Sequence, residues 1–482
     1  MSDSSVIGVV LIARHGDRLE HFEDPYTFAV SAATITPLGE QQEWQLGNFL
    51  RSTYLDPTSP SYIQGIAPST SIFNGSQVAV YADNDFPVDD VVMDSAAALV
   101  QGLWQPTPLQ NITLANGTTI TNPLDGYQYV PINGINPDLE FYLEGSTDCT
   151  NFLSRASELY NSTLFEEVSE EAAPFFDELP PYVGNRSIEL QNAWNIYDYM
   201  NVQYVHNATY AASLPPTFLE QARGLANWEQ YQVFSDPTFG GIGDIAFTSM
   251  IPAVIDSFNA FTNTSNGLLL SYYAVNYRPF LSLFNMTGVV ADGSVPEAFV
   301  NLAAAVVLEL RNSSSSSEPV IRFQFKNGTD DAELHTLPLV FGDWNGTVSG
   351  TDVPLSTFVA AFQPVGINNT LEWCQVCGQT TERGCDVALA AASAGVTDSV
   401  YLALNSSSSP AAVTIVMAHE RITPLAAGFL GAGLTAAVFL LVLAGLLFSW
   451  GRGKKDRKVP ADAVIHFDDH VREYVDEKQP SF

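Results

Sequence analysis

Residues 6–18 read VIGVVLIARHGDR, an apolar run that passes without a break into Arg14-His15-Gly16-Asp17-Arg18. The run is rich in β-branched residues and has no polar alternation, so it predicts a strand buried on both faces, as in a parallel sheet covered by helices. A charged pentapeptide at the carboxyl end of such a strand falls in the crevice where open α/β sheets hold ligands. Downstream, residues 36–54 place Leu38, Trp44, Leu46, Phe49 and Leu50 at near-helical spacing behind Thr36-Pro37, a good helix start. Strand followed by helix is an α/β beginning.

The same reading extends along the chain. A second helix is expected over 94–103 and a Pro-, Gly- and Asn-rich loop over 105–138. Helical polar and aromatic patterns fill 150–235, a buried strand spans 268–274, a helix 296–310, and two strands follow over 320–326 and 335–341. The organisation is an α/β fold with a mostly parallel central sheet flanked by helices and a smaller all-helical cap. Its parts are core (1–149), helical cap insertion (150–235), core with a Cys cluster (236–400), stalk (401–425), membrane span (426–450) and tail (451–482).

The span rests on composition. No charged residue lies between Ile422 and Gly451, and 426–450 exceeds the ~20 residues that cross a bilayer as a helix. The basic cluster Arg452, Lys454, Lys455, Arg457 and Lys458 behind it stays in the cytosol by the positive-inside rule, which makes the large N-terminal domain lumenal or extracellular. Asn-x-Ser/Thr sequons lie only before the span, at Asn74, Asn111, Asn116, Asn161, Asn185, Asn207, Asn263, Asn285, Asn312, Asn327, Asn345, Asn368 and Asn405. The first residues lack the basic region of a cleavable signal, so the export route is unexplained. In an oxidising compartment Cys149, Cys374, Cys377 and Cys385 form two disulfides in one of three pairings; no His stands beside the cluster to complete a zinc site, and no metal or cofactor is expected.

The net charge of -34 is carried before the tail, where 46 acidic residues face 12 basic ones up to residue 451. Such a surface excludes nucleic acid as a partner and repels polyphosphates at neutral pH. Within this acidic chain, Arg14-His15-Gly16-Asp17-Arg18 has the chemistry of a phosphate site. Guanidinium groups bind phosphoryl oxygens bidentately, two neighbouring cations depress the His15 pKa and leave a neutral nitrogen free to attack phosphorus, and Gly16 allows close backbone approach.

With Thr36-Pro37-Leu38-Gly39-Glu40-Gln41-Gln42 and Leu46-Gly47 behind it, this opening resembles the histidine acid phosphatases, the branch of the histidine phosphatase superfamily that includes phytases. The likeness extends from residue 6 to about 390, through Ser95-Ala96, Gly102-Leu103, Asp198, His206-Asn207, 339–341, Pro354-Leu355 and Trp373-Cys374. The resemblance implies hydrolysis of a small phosphomonoester through a phosphohistidine, with His15 as nucleophile and Arg14 and Arg18 as clamps. It also implies a third arginine after the second strand, yet no Lys or Arg occurs between Ser52 and Ser154, and Tyr81-Ala82 or Asp85 stands in its place. The family's His-Asp or His-Glu pair should close a later strand; after 268–274 come Val275, Asn276, Tyr277 and Arg278 instead. Arg278 is a candidate for the phosphate, beside the commoner role of a surface or capping arginine. Asp17, Glu20 and His21 are near enough to the motif to serve the pocket, His206 fits a scaffold role in the cap, and His335 falls in an edge region. His419-Glu420 spells the missing pair but stands beside the membrane, after every strand the fold would use, and His466 and His470 are cytosolic. Two readings remain: a weak membrane-anchored acid phosphatase, or an inactive relative that binds a phosphate ligand at the surface.

Overall fold

The computed structural model describes residues 4–67, 71–84, 91–312 and 318–395. The span at 426–450, the stalk, the tail, Asn405, Asp85, His419, Glu420, His466 and His470 lie outside the described residues. Among the described residues the main sheet has eight strands, seven of them on one path: β1 (Ser5–Arg14), β2 (Val78–Asp83), β3 (Asn133–Ile135), β4 (Leu270–Val275), β5 (Ala305–Asn312), β6 (Val320–Lys326) and β7 (Asp352–Pro354). Their order is β7-β6-β5-β1-β4-β2-β3, with His335–Thr336 paired on β6. From β1 outward through β4, β2 and β3 the pairing is parallel, whereas β5, β6 and β7 continue the sheet antiparallel on the other side.

The helices used below are α1 (Pro37–Leu50), α2 (Val91–Leu103), α3 (Thr150–Tyr160), α4 (Thr163–Phe176), α5 (Ala193–His206), α6 (Phe218–Val233), α7 (Ile251–Thr262) and α8 (Arg278–Met286). β1 is buried on both faces as its composition requires. Val9, Leu11 and Ala13 pack with Leu46, Leu50 and Leu99 of α1 and α2, while Val10 and Ile12 join the cluster that holds Phe258 of α7. At about 25 cal/mol per Å² of apolar surface, such two-sided burial makes β1 a strong anchor of the domain. The helical stretch Ile242–Thr262 is long and apolar enough to cross a membrane, but 67% of it is buried inside the domain, so it is a core element.

Three expectations are corrected. β3 (Asn133–Ile135) lies inside the expected loop 105–138, and the expected strand over 335–341 is two short pieces, His335–Thr336 on β6 and Val340–Phe341 paired with Trp344–Asn345. The helix over 296–310 is absent: 296–304 is irregular, and β5 begins at Ala305. Ala305–Leu310 is fully buried between β1 and β6, and a two-sided buried strand has the same unbroken apolar run as a buried helix. Antiparallel pairing on both sides decides the matter.

The cysteines pair as Cys149–Cys377 and Cys374–Cys385. The first ties the start of α3 to the C-terminal segment across 228 residues of sequence. Among the sequons, Asn285 donates its amide to the Asp236 carbonyl (2.8 Å) and the Asp244 carboxylate (2.9 Å), so that side chain is a packing element and no glycan acceptor in the folded domain.

Candidate active site

Three parallel strands end side by side. Ala13 of β1 and Ala82 of β2 both pair with Ala274 of β4, so the residues that follow converge on one crevice. The motif backbone is held from both flanks: His15 N–H donates to the Val275 carbonyl (3.3 Å), and its own carbonyl accepts from Ala303 N–H (3.1 Å). Gly16 N–H donates to Ser95 Oγ of α2 (3.1 Å).

The loop then rests on the start of α1 through two glycines. A Cβ on Gly16 would lie 2.4 Å from the Gly39 carbonyl oxygen, and one on Gly39 would lie 2.1 Å from that of Asp17. Thr36, the α1 N-cap, accepts from Gly39 N–H (3.2 Å) and donates to the Asp17 carboxylate, which also bonds His206 Nε2 (2.8 Å). Gly39→Ala is therefore expected to shift the motif loop, at a cost of about 1–3 kcal/mol, and to weaken phosphate binding. Thermal melting and phosphate titration test this; an unchanged melting temperature would show that the loop does not rest on the helix.

His15 is 6% exposed, and its Nδ1 lies 2.8 Å from the Gly16 carbonyl oxygen. A carbonyl only accepts, so Nδ1 carries the proton and Nε2 presents a lone pair. Burial, then Arg14 and Arg18, holds the imidazole pKa well below its ordinary value. Arg14 donates to the Val300 carbonyl and lies against the rings of Trp194, Tyr277 and Phe299; burial and Arg18 pull its pKa down to about 10. Arg18 makes a two-pronged pair with Asp198 of α5, at 3.0 and 2.9 Å.

His15 opens into a cavity of about 50 Å³ that is also lined by Arg18, His21, Glu23, Asp83, Glu144, Asn276 and Arg278. His21 is buried there, and burial, followed by Arg18, His15 and Arg278, depresses its pKa. Arg278 is not a surface residue: it is 3% exposed, pairs with Glu23, and lies 4.0 Å from Glu144. Asn276 donates to Glu144 Oε1 (3.0 Å) and accepts the Arg278 N–H (2.9 Å).

The cavity thus brings together His15, Arg18, His21 and Arg278, while Arg14, adjacent to His15 in sequence, lines a neighbouring cleft. Asp17 is turned away toward Thr36 and His206. Glu20 pairs with Arg186, and His335 with Asp331. The side chain of Val275 is buried in the core, and β2 delivers the carboxylate of Asp83 to the crevice where a third arginine was expected. Glu23, Glu144 and Asp83 escaped the sequence reading, and Asp198 entered it only as part of the cap segment, without its role as the partner of Arg18. For Asp83 the end of the second strand was a usable signal; the other three are placed by loops and by α5, with nothing in their local pattern to mark them.

No family model matches the chain. Lysosomal acid phosphatase of Bos taurus is 22% identical over 391 residues, 79% of this chain and 83% of that protein. The rat (Rattus norvegicus) enzyme of the same name is 23% identical over 397 residues, with the same coverage. Both matches take in the motif-bearing domain and agree with the motif at the end of the first strand. The chain is similar, over 79% of its length, to the histidine acid phosphatases. Its fold is similar to that of the Klebsiella sp. ASR1 phytase, with a TM-score of 0.51 at 14% identity over 76% of this chain and 97% of that one. Both arginines that line the His15 cavity, Arg18 and Arg278, are paired with buried carboxylates.

Proposed function

We propose that the domain hydrolyses phosphomonoesters through a phosphohistidine on His15, with Arg14 and Arg18 binding the phosphoryl group. The observation that carries this reading is the His15 tautomer: Nδ1 bonds to the Gly16 carbonyl, so Nε2 faces its surroundings as a neutral nucleophile between two arginines. Buried Nε donors on Arg14 and Arg278 have no partner among the described residues, and phosphoryl oxygens would satisfy them. Attack by Nε2 forms the P–N bond and breaks the P–O bond; the leaving oxygen departs as an anion that takes its proton from water, and a second water then cleaves the phosphohistidine to return His15 and inorganic phosphate. The missing element is a dedicated acid for the alcohol. Val275 and Asn276 stand where the family places its His-Asp pair, which favours good leaving groups.

A second reading has its own support. Asp198 and Glu23 already occupy Arg18 and Arg278, as in a site that binds phosphate ligands weakly and turns nothing over. In both readings the domain is lumenal or extracellular and anchored by 426–450, in keeping with the two disulfides and the basic cluster behind the span.

Hydrolysis of p-nitrophenyl phosphate from pH 3 to 7 separates the two. Turnover that falls at least about 10³-fold in His15→Ala is expected. Turnover equal in the two proteins, both folded by circular dichroism, leaves the inactive, phosphate-binding reading.

A further inference from the structure

Beside the His15 cavity lies a larger cleft of about 420 Å³, within the range of small-molecule sites. The two share Arg18 and Trp194, so an ester with its phosphoryl group against His15 and Arg18 extends its alcohol past that wall into the cleft. The lining of the cleft includes five carboxamides: Gln41, Gln42 and Gln45 of α1, Asn201 of α5, and Asn301. Gln42 and Asn301 are engaged, by Asp17 N–H (2.8 Å) and by Arg223 (2.5 Å). Gln41, Gln45 and Asn201 make no side-chain hydrogen bond to another described residue and face the space with donors and acceptors together. Tyr197 and Phe299 lie in its wall, under the Arg223 guanidinium.

Charge is balanced across this lining: Arg14, Arg18 and Arg223 stand against Asp17, Asp198 and Asp330. No lysine contributes, and Lys326, the only one before residue 451, is engaged elsewhere by the Gly328 carbonyl. A ligand bearing several phosphates would meet three carboxylates and no unbalanced cation, in a chain of net charge -34. Amides that both donate and accept match hydroxyl groups on a compact carbon frame.

We propose that this cleft selects phosphomonoesters whose alcohol is an uncharged, polyhydroxylated group, a sugar or polyol monophosphate, and discriminates against polyphosphates. The inference rests on the phosphate-site reading above and adds the class of leaving group.

The test is a titration at pH 5 of the full chain carrying His15→Ala, so that turnover does not intervene, in a detergent without a sugar headgroup. The probes are inorganic phosphate, glucose 6-phosphate and inositol hexakisphosphate. Glucose 6-phosphate is expected to bind at least tenfold more tightly than inorganic phosphate, and inositol hexakisphosphate no more tightly than inorganic phosphate. Adding Gln45→Leu and Asn201→Leu, both outside the core, should remove the sugar phosphate's advantage and leave inorganic phosphate affinity unchanged. Inositol hexakisphosphate binding more tightly than glucose 6-phosphate overturns the proposal, as does a sugar phosphate that binds no better than phosphate or an advantage that survives both substitutions. If inorganic phosphate itself fails to bind, the phosphate-site reading falls and takes this one with it.

Discussion

Across a series of phosphate esters graded by the acidity of the leaving alcohol, kcat is expected to fall steeply, by about 10²–10⁴-fold between p-nitrophenyl phosphate and glycerol phosphate, the size of a general-acid contribution. p-Nitrophenolate leaves unprotonated; an alkoxide does not. The strand that should end in the family's acid ends in Val275, whose side chain is in the core, and Asn276, whose amide donates to Glu144. Neither can protonate an ester oxygen. The cavity does hold the carboxyl groups of Glu23, Glu144 and Asp83. Glu23 is tied to Arg278, whereas Glu144 accepts side-chain bonds from Asn276 and Thr147 and is the less buried of the two, with 15% side-chain exposure against 4%. A shallow dependence on the leaving group would mean that one of these carboxyls donates the proton. Glu144→Gln would then steepen the series and leave p-nitrophenyl phosphate turnover little changed.

The parts legible in the sequence are those fixed by local pattern. β1 announced itself because a strand buried on both faces needs an unbroken apolar run, and the motif's position at its end followed from chain order alone. The missing third arginine was equally plain, since no cation exists between Ser52 and Ser154 to be misplaced. What escaped was set by long-range pairing. Residues 296–310 read as a helix because an Ala- and Val-rich segment fits either state until its neighbours are known. Arg278 read as a capping or surface residue because Glu23, its buried partner, is 255 positions away in sequence and unremarkable there. Asp198 was visible as part of the cap helix, but not as the group that holds Arg18.

The fold's stability is expected to rise as the pH falls from 8 to about 6.5, and to go on rising with a smaller slope toward 5. Three buried carboxyls set the direction. Burial lifts Glu229 to about 8 against the hydrogen bonds from Tyr160 and Gln230, and lifts Asp244 to about 8 against the bond from Asn285. Glu43 is fully buried in α1 with neither oxygen bonded among the described residues, and burial alone raises it well above the carboxylate range. Between the unfolded value near 4 and the folded value near 8, the native state holds protons that the unfolded chain has released, so the free energy of unfolding drops as the pH rises through that window. A group shifted from about 4.5 to about 8 contributes on the order of 5 kcal/mol across the full window at about 1.4 kcal/mol per pH unit. Below 6.5 the sign is opposed by His15 and His21, whose depressed pKa values keep them neutral in the fold while the unfolded chain takes up protons. Two imidazoles against three carboxyls reduce the slope without reversing it. Thermal melting between pH 5 and 8 measures the effect, and Glu229→Gln should flatten it, since an amide keeps the hydrogen bond from Tyr160 and has no proton to lose. A melting temperature that instead climbs with pH from 6.5 to 8 would mean that these carboxyls are ionised in the folded domain.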